Sequence, residues 1–197
     1  MTLLTKWDDT DAKAIELHTR DDDTITEVLG GLGVRFSRWE LKDLPDSPTP
    51  DQVLEAYRDD IERVSAQYGY TIVDSLGLAP SDDPEYAQKA AASREKFLRE
   101  HRHDDDEDRF FARGSGIFYL HVDGKVYAVL CEAGDLISVP ANTTHWFDMG
   151  TRPDFISVRF FHDDDGWVGN FTGSEISAKF ATFDEIVANA ARVEASS

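Results

Sequence analysis

The chain has 197 residues, 41% of them hydrophobic and 11% aromatic, which suits one domain with a sizeable core and is short for two. Its formal net charge of −19 repels nucleic-acid phosphates, so nucleic acid is excluded as a partner; an anionic substrate would need a local positive centre. No apolar run approaches the length of a membrane span, and the start, MTLLTKWDDTD, lacks the charged-then-apolar pattern of a secretory signal. A cytoplasmic protein without membrane contact is expected, and the single cysteine, Cys131, excludes an internal disulfide framework.

In chain order, GGLG at Gly30–Gly33 reads as a turn, because neither a helix signal nor a P-loop lysine follows it. Thr49-Pro50-Asp51-Gln52 supplies an N-cap, a proline at the first helical position, an early acid and a capping-box glutamine. Leu54, Tyr57, Ile61, Val64 and Tyr68 then recur at helical spacing, and Gly69 ends the run, so one helix is predicted there. A weaker helical stretch follows Pro84 to about Arg94, and a terminal helix is predicted from Phe183. Between them the pattern turns to strands: KFLREH from Lys96, RFFARG from Arg109, GIFYLHV from Gly116, KVYAVLC from Lys125, LISVP from Leu136, HWFDM from His145 and FISVRFF from Phe155. These runs are short, aromatic and β-branched, with turn signals at Asp123-Gly124, Ala133-Gly134-Asp135 and Pro153-Asp154. The fold class expected is mainly β with peripheral α-helices, built as a double-sheet barrel or sandwich. Cys131, within VYAVLC, reads as a buried core thiol.

The stretch HRHDDDEDRFF, His101 to Phe111, carries the chemistry. Read as an extended strand, Lys96 to His103 puts His101 and His103 on one face with Phe97 and Arg99. Two imidazoles at i and i+2 can share one metal ion. Glu107 follows a short turn that can return it to the same centre, and Arg109 lies two residues further on the same side. GDLISVPANTTHWF supplies a fourth donor, His145, after a glycine turn, a strand and a proline stop. Imidazoles with one carboxylate and no thiolate suit iron, nickel or copper better than structural zinc. Asp104, Asp105 and Asp108 read as solvated, and His18, His121 and His162 as surface or strand-end residues.

The pattern HxHxxxE followed by RFF and a glycine, with a downstream G-x5-P-x4-H, resembles the paired motifs of the cupin superfamily. The departures are Glu95, Asn142 and Met149, which stand where the motifs have glycine, glycine and asparagine. KFLREHRHDDDEDRFFARGSGIFYLHV with VLCEAGDLISVPANTTHWFDMG, and later Trp167 and FTG at Phe171–Gly173, resembles the acireductone dioxygenase family of methionine salvage, densely over residues 95–173.

That resemblance implies a double-stranded β-helix (jelly-roll) barrel. Residues 1–197 would form a single cupin domain, with an N-terminal helical and extended portion packed on the barrel. It implies that His101, His103, Glu107 and His145 ligate one Fe²⁺ or Ni²⁺, with two positions left for water or substrate. It also implies an acireductone and O₂ as the reactants, yielding the keto acid precursor of methionine plus formate with iron. With nickel the products would be methylthiopropionate, formate and carbon monoxide. Arg109 would stabilise the substrate dianion, and Phe97, Phe147 and Trp167 would wall the pocket. Glu100 and Asp106 would assist metal loading or relay conformational change, although as residues alone they read equally as exposed acids. A monomer acting on small molecules is expected. Other cupin dioxygenases or isomerases and non-catalytic metal- or sugar-binding cupins are the alternatives; an arginine beside Glu107 favours chemistry on an anion.

Overall fold

The computed structural model describes residues 1–163 and 168–194. Its centre is a sixteen-residue strand, β6 (Glu107–Val122), which belongs to two sheets at once. The C-terminal half of β6 pairs with β7 (Lys125–Glu132) and with β9 (His145–Asp148). Beyond β7 that sheet continues through β1 (Leu3–Asp8) to β2 (Asp11–Thr19). Beyond β9 it continues through β5 (His101–Arg102) to β11 (Asn170–Phe171). The N-terminal half of β6 pairs instead with β8 (Asp135–Val139) and β10 (Phe155–Phe161). These in turn carry β3 (Arg35–Arg38) and β4 (Ile72–Leu78). All pairings are antiparallel, and the result is the expected double-sheet barrel.

The strand changes sheets at Gly114. Its φ is +68°, and a Cβ there would lie 1.8 Å from the Asp154 carbonyl oxygen, so only glycine fits. The runs RFFARG and GIFYLHV are therefore one bent strand rather than two.

Alternation along β6 assigns its side chains to layers. Phe111, Phe118 and Leu120 point into the barrel with Phe147, Phe155 and Val129, and Ile25 and Leu29 of α1 (Asp22–Gly31) pack into the same cluster. Phe110 points out, beneath a helical layer of α2 (Pro50–Ala56) and α3 (Arg58–Tyr68). There Trp39 stacks on Phe110 with centroids 4.3 Å apart. Ile117 and Tyr119 point out on the other sheet, under Ile186 and Ala190 of α5 (Phe183–Glu194). Tyr119 and Trp146 stack at 4.9 Å, almost parallel. Each sheet thus buries its outer face under helices, which are peripheral as expected.

Several local expectations change. The helix begun by the Thr49–Gln52 capping box breaks at Tyr57, whose φ of −107° and ψ of 17° leave the helical region. Tyr57 is fully buried against Trp39 and Phe110, and its hydroxyl accepts the Lys42 N–H, so tertiary packing bends the run there. The segment before α1 and the run ending at Gly31 were not readable as strands and helix from pattern alone; Gly33, at φ +76°, makes the turn expected of GGLG. KFLREH is not a strand. Lys96 and Phe97 close the helix α4 (Pro84–Phe97), and extended pairing begins only at His101. A bidentate pair from Arg94 to Asp148, at 2.8 and 3.0 Å, holds the last turns of α4 against β9.

Candidate metal centre

β5, β6 and β9 bring the four expected donors together. His101 pairs in register with His145, and His145 with Leu120 of β6, so two of the ligands face each other across adjacent strands. His103 follows β5, and Glu107 opens β6 on its inward face. One donor atom from each of His101, His103, Glu107 and His145 lies within 4.8 Å of the others, and all four side chains are buried. The imidazole centroids are 4.5 to 5.2 Å apart.

The orientation of the rings is fixed from outside. Each histidine places Nδ1 against a backbone carbonyl: His101 on Arg99 at 2.6 Å, His103 on Val168 at 3.2 Å and His145 on Thr143 at 2.8 Å. A carbonyl can only accept, so Nδ1 carries a proton and Nε2 is the nitrogen left facing the centre, where it can ligate an ion once it is free of a proton. The backbone carbonyls behind the rings thus select the metal-binding tautomer. Glu107 Oε2 lies 2.8 Å from His145 Nε2 and 3.2 Å from His103 Nε2, accepting the protons that a metal ion would replace. Three imidazole nitrogens and one carboxylate, with no thiolate, fit a divalent transition ion.

The electrostatics suit cation binding. Burial, with His145 nearby, drops the His101 pKa to about 4, so this ring is neutral at physiological pH. Burial opposes the Glu107 charge, yet Arg109, His103 and His145 hold its carboxyl well below the usual value. Burial also opposes a charge on His103, but the Glu107 bond overrides it and raises that pKa. His103 is therefore the ligand that must give up a proton to a metal ion.

Arg109, expected on the ligand side, is buried there and donates from Nη2 to Glu107 Oε1 at 2.8 Å. Its guanidinium lies 4.7 Å from the Phe147 ring centroid and 5.3 Å from that of Phe118. A cavity of about 110 Å³ opens in front of the ligands, lined by Phe97 and Phe171 among others. Phe147 is buried behind the ligands and meets Phe97 edge-on at 6.5 Å. Trp167 lies outside the described residues.

Four acids in and beside the stretch have different surroundings. Glu100 is not an exposed acid: it is buried, 2.6 Å from His121 Nδ1, and accepts the Thr172 hydroxyl. Asp106 is half-buried and accepts the Ala141 N–H at 2.9 Å, tying the Glu107 segment to the loop that precedes His145. Asp108, expected to be solvated, is fully buried on the outward face, paired with Arg35 at 3.1 Å. Asp105, half-buried, pairs with His162. Neither Arg35 nor His121 could be linked to these acids from one sequence, since Arg35 lies 73 residues from Asp108 and His121 stands at the far end of β6, 21 residues from Glu100. Of the departures from the cupin motifs, Asn142 adopts φ +64°, the left-handed conformation that a glycine takes most readily and that asparagine tolerates.

The ARD/ARD' family model matches residues 8–169. An acireductone dioxygenase of Saccharopolyspora erythraea is 61% identical over 189 residues, 96% of this chain and 100% of that protein. One from Frankia alni is 52% identical, over 94% of this chain and 91% of that protein. Among solved structures, an acireductone dioxygenase from Bacillus anthracis with a cadmium ion in its active centre superposes with a TM-score of 0.71 at 27% identity. The match covers 87% of this chain and 98% of that one. Motif, barrel, donor set and relatives agree, and the chain belongs to the acireductone dioxygenase (ARD/ARD') family.

Proposed function

We propose that the four-residue centre holds Fe²⁺ or Ni²⁺ and cleaves an acireductone with O₂, with Arg109 as the residue that favours the substrate dianion. The activity itself, metal-dependent acireductone cleavage in methionine salvage, is that of the family to which the chain belongs. The observation that carries the residue roles is the convergence of three Nδ1-anchored imidazoles on Glu107, with the Arg109 guanidinium bonded to the same carboxylate. A bound divalent ion supplies Lewis-acid charge and a template for two adjacent substrate oxygens.

The chain's own residues do the rest. Arg109 is cationic at any physiological pH, and in a buried site its charge-assisted bonds to a developing enediolate are stronger than in water. Phe147 and Phe118 shield it from solvent. Behind Phe97 and Arg109 lies a second cavity of about 330 Å³, with Leu76, Leu78, Met149 and Phe155 in its wall. This largely apolar space suits the methylthioethyl tail, and Phe97, which lines both cavities, forms the partition, with Phe147 packed edge-on behind it. Glu100 anchors β5 to β6 and to Thr172, a positioning role next to His101. Asp106 links the two ligand-bearing loops, a route by which one ligand's position is felt by another.

The decisive experiment is anaerobic titration of the reconstituted protein with a synthetic acireductone, followed by oxygen and product analysis. A dianion absorption band, then keto acid and formate from the iron form and carbon monoxide from the nickel form, is expected. Metal and reductone binding without oxygen uptake would instead describe a binding module, and identical products from both forms would remove the metal-dependent switch.

A further inference from the structure

Arg159, in the middle of β10, lines the metal cavity beside Lys96, Phe97 and Phe171. Strand pairing places it directly opposite Arg109 on one side and Asp74 on the other. Directly opposed residues share a sheet face, so Asp74, Arg159 and Arg109 form one row running inward from the rim. Side-chain exposure falls along it, from 44% at Asp74 through 22% at Arg159 to 3% at Arg109. Asp74 clamps Arg159 with two bonds, Nε to Oδ1 at 2.8 Å and Nη2 to Oδ2 at 2.5 Å.

Three physical points give this row a purpose. Two cations opposed on a sheet disfavour each other, and an anion placed between them relieves that repulsion. The Asp74–Arg159 pair is partly exposed, so water screens it and its exchange for another anion costs little. A chain of net charge −19 repels anions except where its cations gather, and the exposed Lys96 with Arg159 is such a place beside the metal ligands. An enediol conjugated to a ketone is a vinylogous acid, so it arrives as a monoanion before any metal helps to remove a second proton.

We propose that Arg159 is an anion-docking residue at the mouth of the cavity, which exchanges Asp74 for the substrate enediolate and presents it to Arg109. Asp74 holds the guanidinium in place while the cavity is empty and competes with the incoming anion. The identity of that anion rests on the acireductone reading; the subsite itself rests only on charge and position.

The test uses full-length, metal-loaded protein and two readouts. Calorimetric titration with squarate, a planar dianion with adjacent oxygens, should show R159Q binding about tenfold more weakly than the parent, the loss expected for one charge-assisted contact. D74N should bind it more tightly, R159K should recover part of the loss, and metal content should be unchanged in all three. In steady-state assays R159Q should raise KM for the acireductone with little change in kcat, and should flatten the salt dependence of kcat/KM. Squarate affinity equal in R159Q and parent, or no squarate binding to the parent, overturns the subsite. Arg159-dependent squarate binding by a parent that does not turn over an acireductone would instead overturn the assigned reaction and leave the subsite standing. If R159Q does not fold, D74N decides: unchanged squarate affinity in D74N also overturns the proposal.

Discussion

Glu107 and Asp108 are adjacent carboxylates on one strand, and the fold gives them opposite lives. Glu107 faces into the barrel, where Arg109 and two histidines hold its charge and its pKa falls well below the usual range. Asp108 faces out, where burial raises its pKa although Ser138, Tyr70 and Arg35 partly offset the cost. The inward carboxylate shares one oxygen with Nε2 of His103 and of His145, two nitrogens that converge where an ion would bind. The outward carboxylate is enclosed by groups already committed to structure: Arg35 also bonds Ser138 and Tyr70 and stacks on Tyr68 at 3.5 Å. Buried charge is therefore not by itself a sign of chemistry. What separates the two sites is whether the partners are imidazole nitrogens that can exchange a proton for a metal ion or donors that are committed to structure.

The comparison breaks most completely if the inner donor set is cut. His145→Ala and Glu107→Gln should each lower metal affinity by more than about 100-fold, beyond the loss typical of altering a supporting partner. Elemental analysis after dialysis should find far less than one equivalent, and full retention in either variant would remove that residue from the centre.

Next in size is Arg109→Ala. It should keep its metal, lose the anaerobic dianion band and slow turnover by about 100-fold or more, since each lost charge-assisted bond is worth about 1.5–3 kcal/mol. Arg109→Lys should rescue only part, because a point charge lacks the planar fork. Parent-like turnover in Arg109→Ala would show that this guanidinium does not act on the substrate.

The outer site should respond in stability alone. Asp108→Asn preserves shape but turns one of two acceptor oxygens into a donor among Arg35, Ser138 and Tyr70, so urea unfolding should report a loss of about 1–3 kcal/mol, with metal content and kcat at parent values. A loss of metal in this variant would mean that the two faces of β6 are coupled, against the separation drawn above.

The smallest effect is a pH dependence confined to the metal-free protein. The Glu107 pKa is depressed, so its contribution is present above its ordinary 4.5 and is lost as pH falls through the folded value. The His103 pKa is raised, so its contribution is complete below its ordinary 6.5 and is lost as pH rises through the folded value. His101, held down at about 4, costs stability as pH falls from 6.5 toward 4, so the inner cluster should stabilise the apoprotein most near the ordinary histidine value of 6.5. Melting temperature measured across pH 4 to 8 should decline on the alkaline side without metal. A bound ion replaces the His103 proton, so the loaded protein should not share that alkaline loss.

How much of this was legible in the sequence follows from the range over which each signal acts. HxHxxxE and G-x5-P-x4-H named all four donors, because strand alternation and turn geometry are local and a metal centre needs residue types at fixed offsets. The strands from Arg109 to Phe161 were legible for the same reason, as was the capping box at Thr49. Alternation also put Arg109 on the Glu107 side. Other features depend on which segment lies across from which. Phe97 ends a helix rather than a strand because Arg94 meets Asp148, 54 residues away. Asp108 is buried because Arg35 arrives from β3, and Glu100 because His121 arrives from the far end of β6. Tyr57 breaks its helix because a stacked aromatic layer claims the ring. The row Asp74–Arg159–Arg109 exists only once β4, β10 and β6 are in register, and pairing register is a non-local property that no window of one sequence contains.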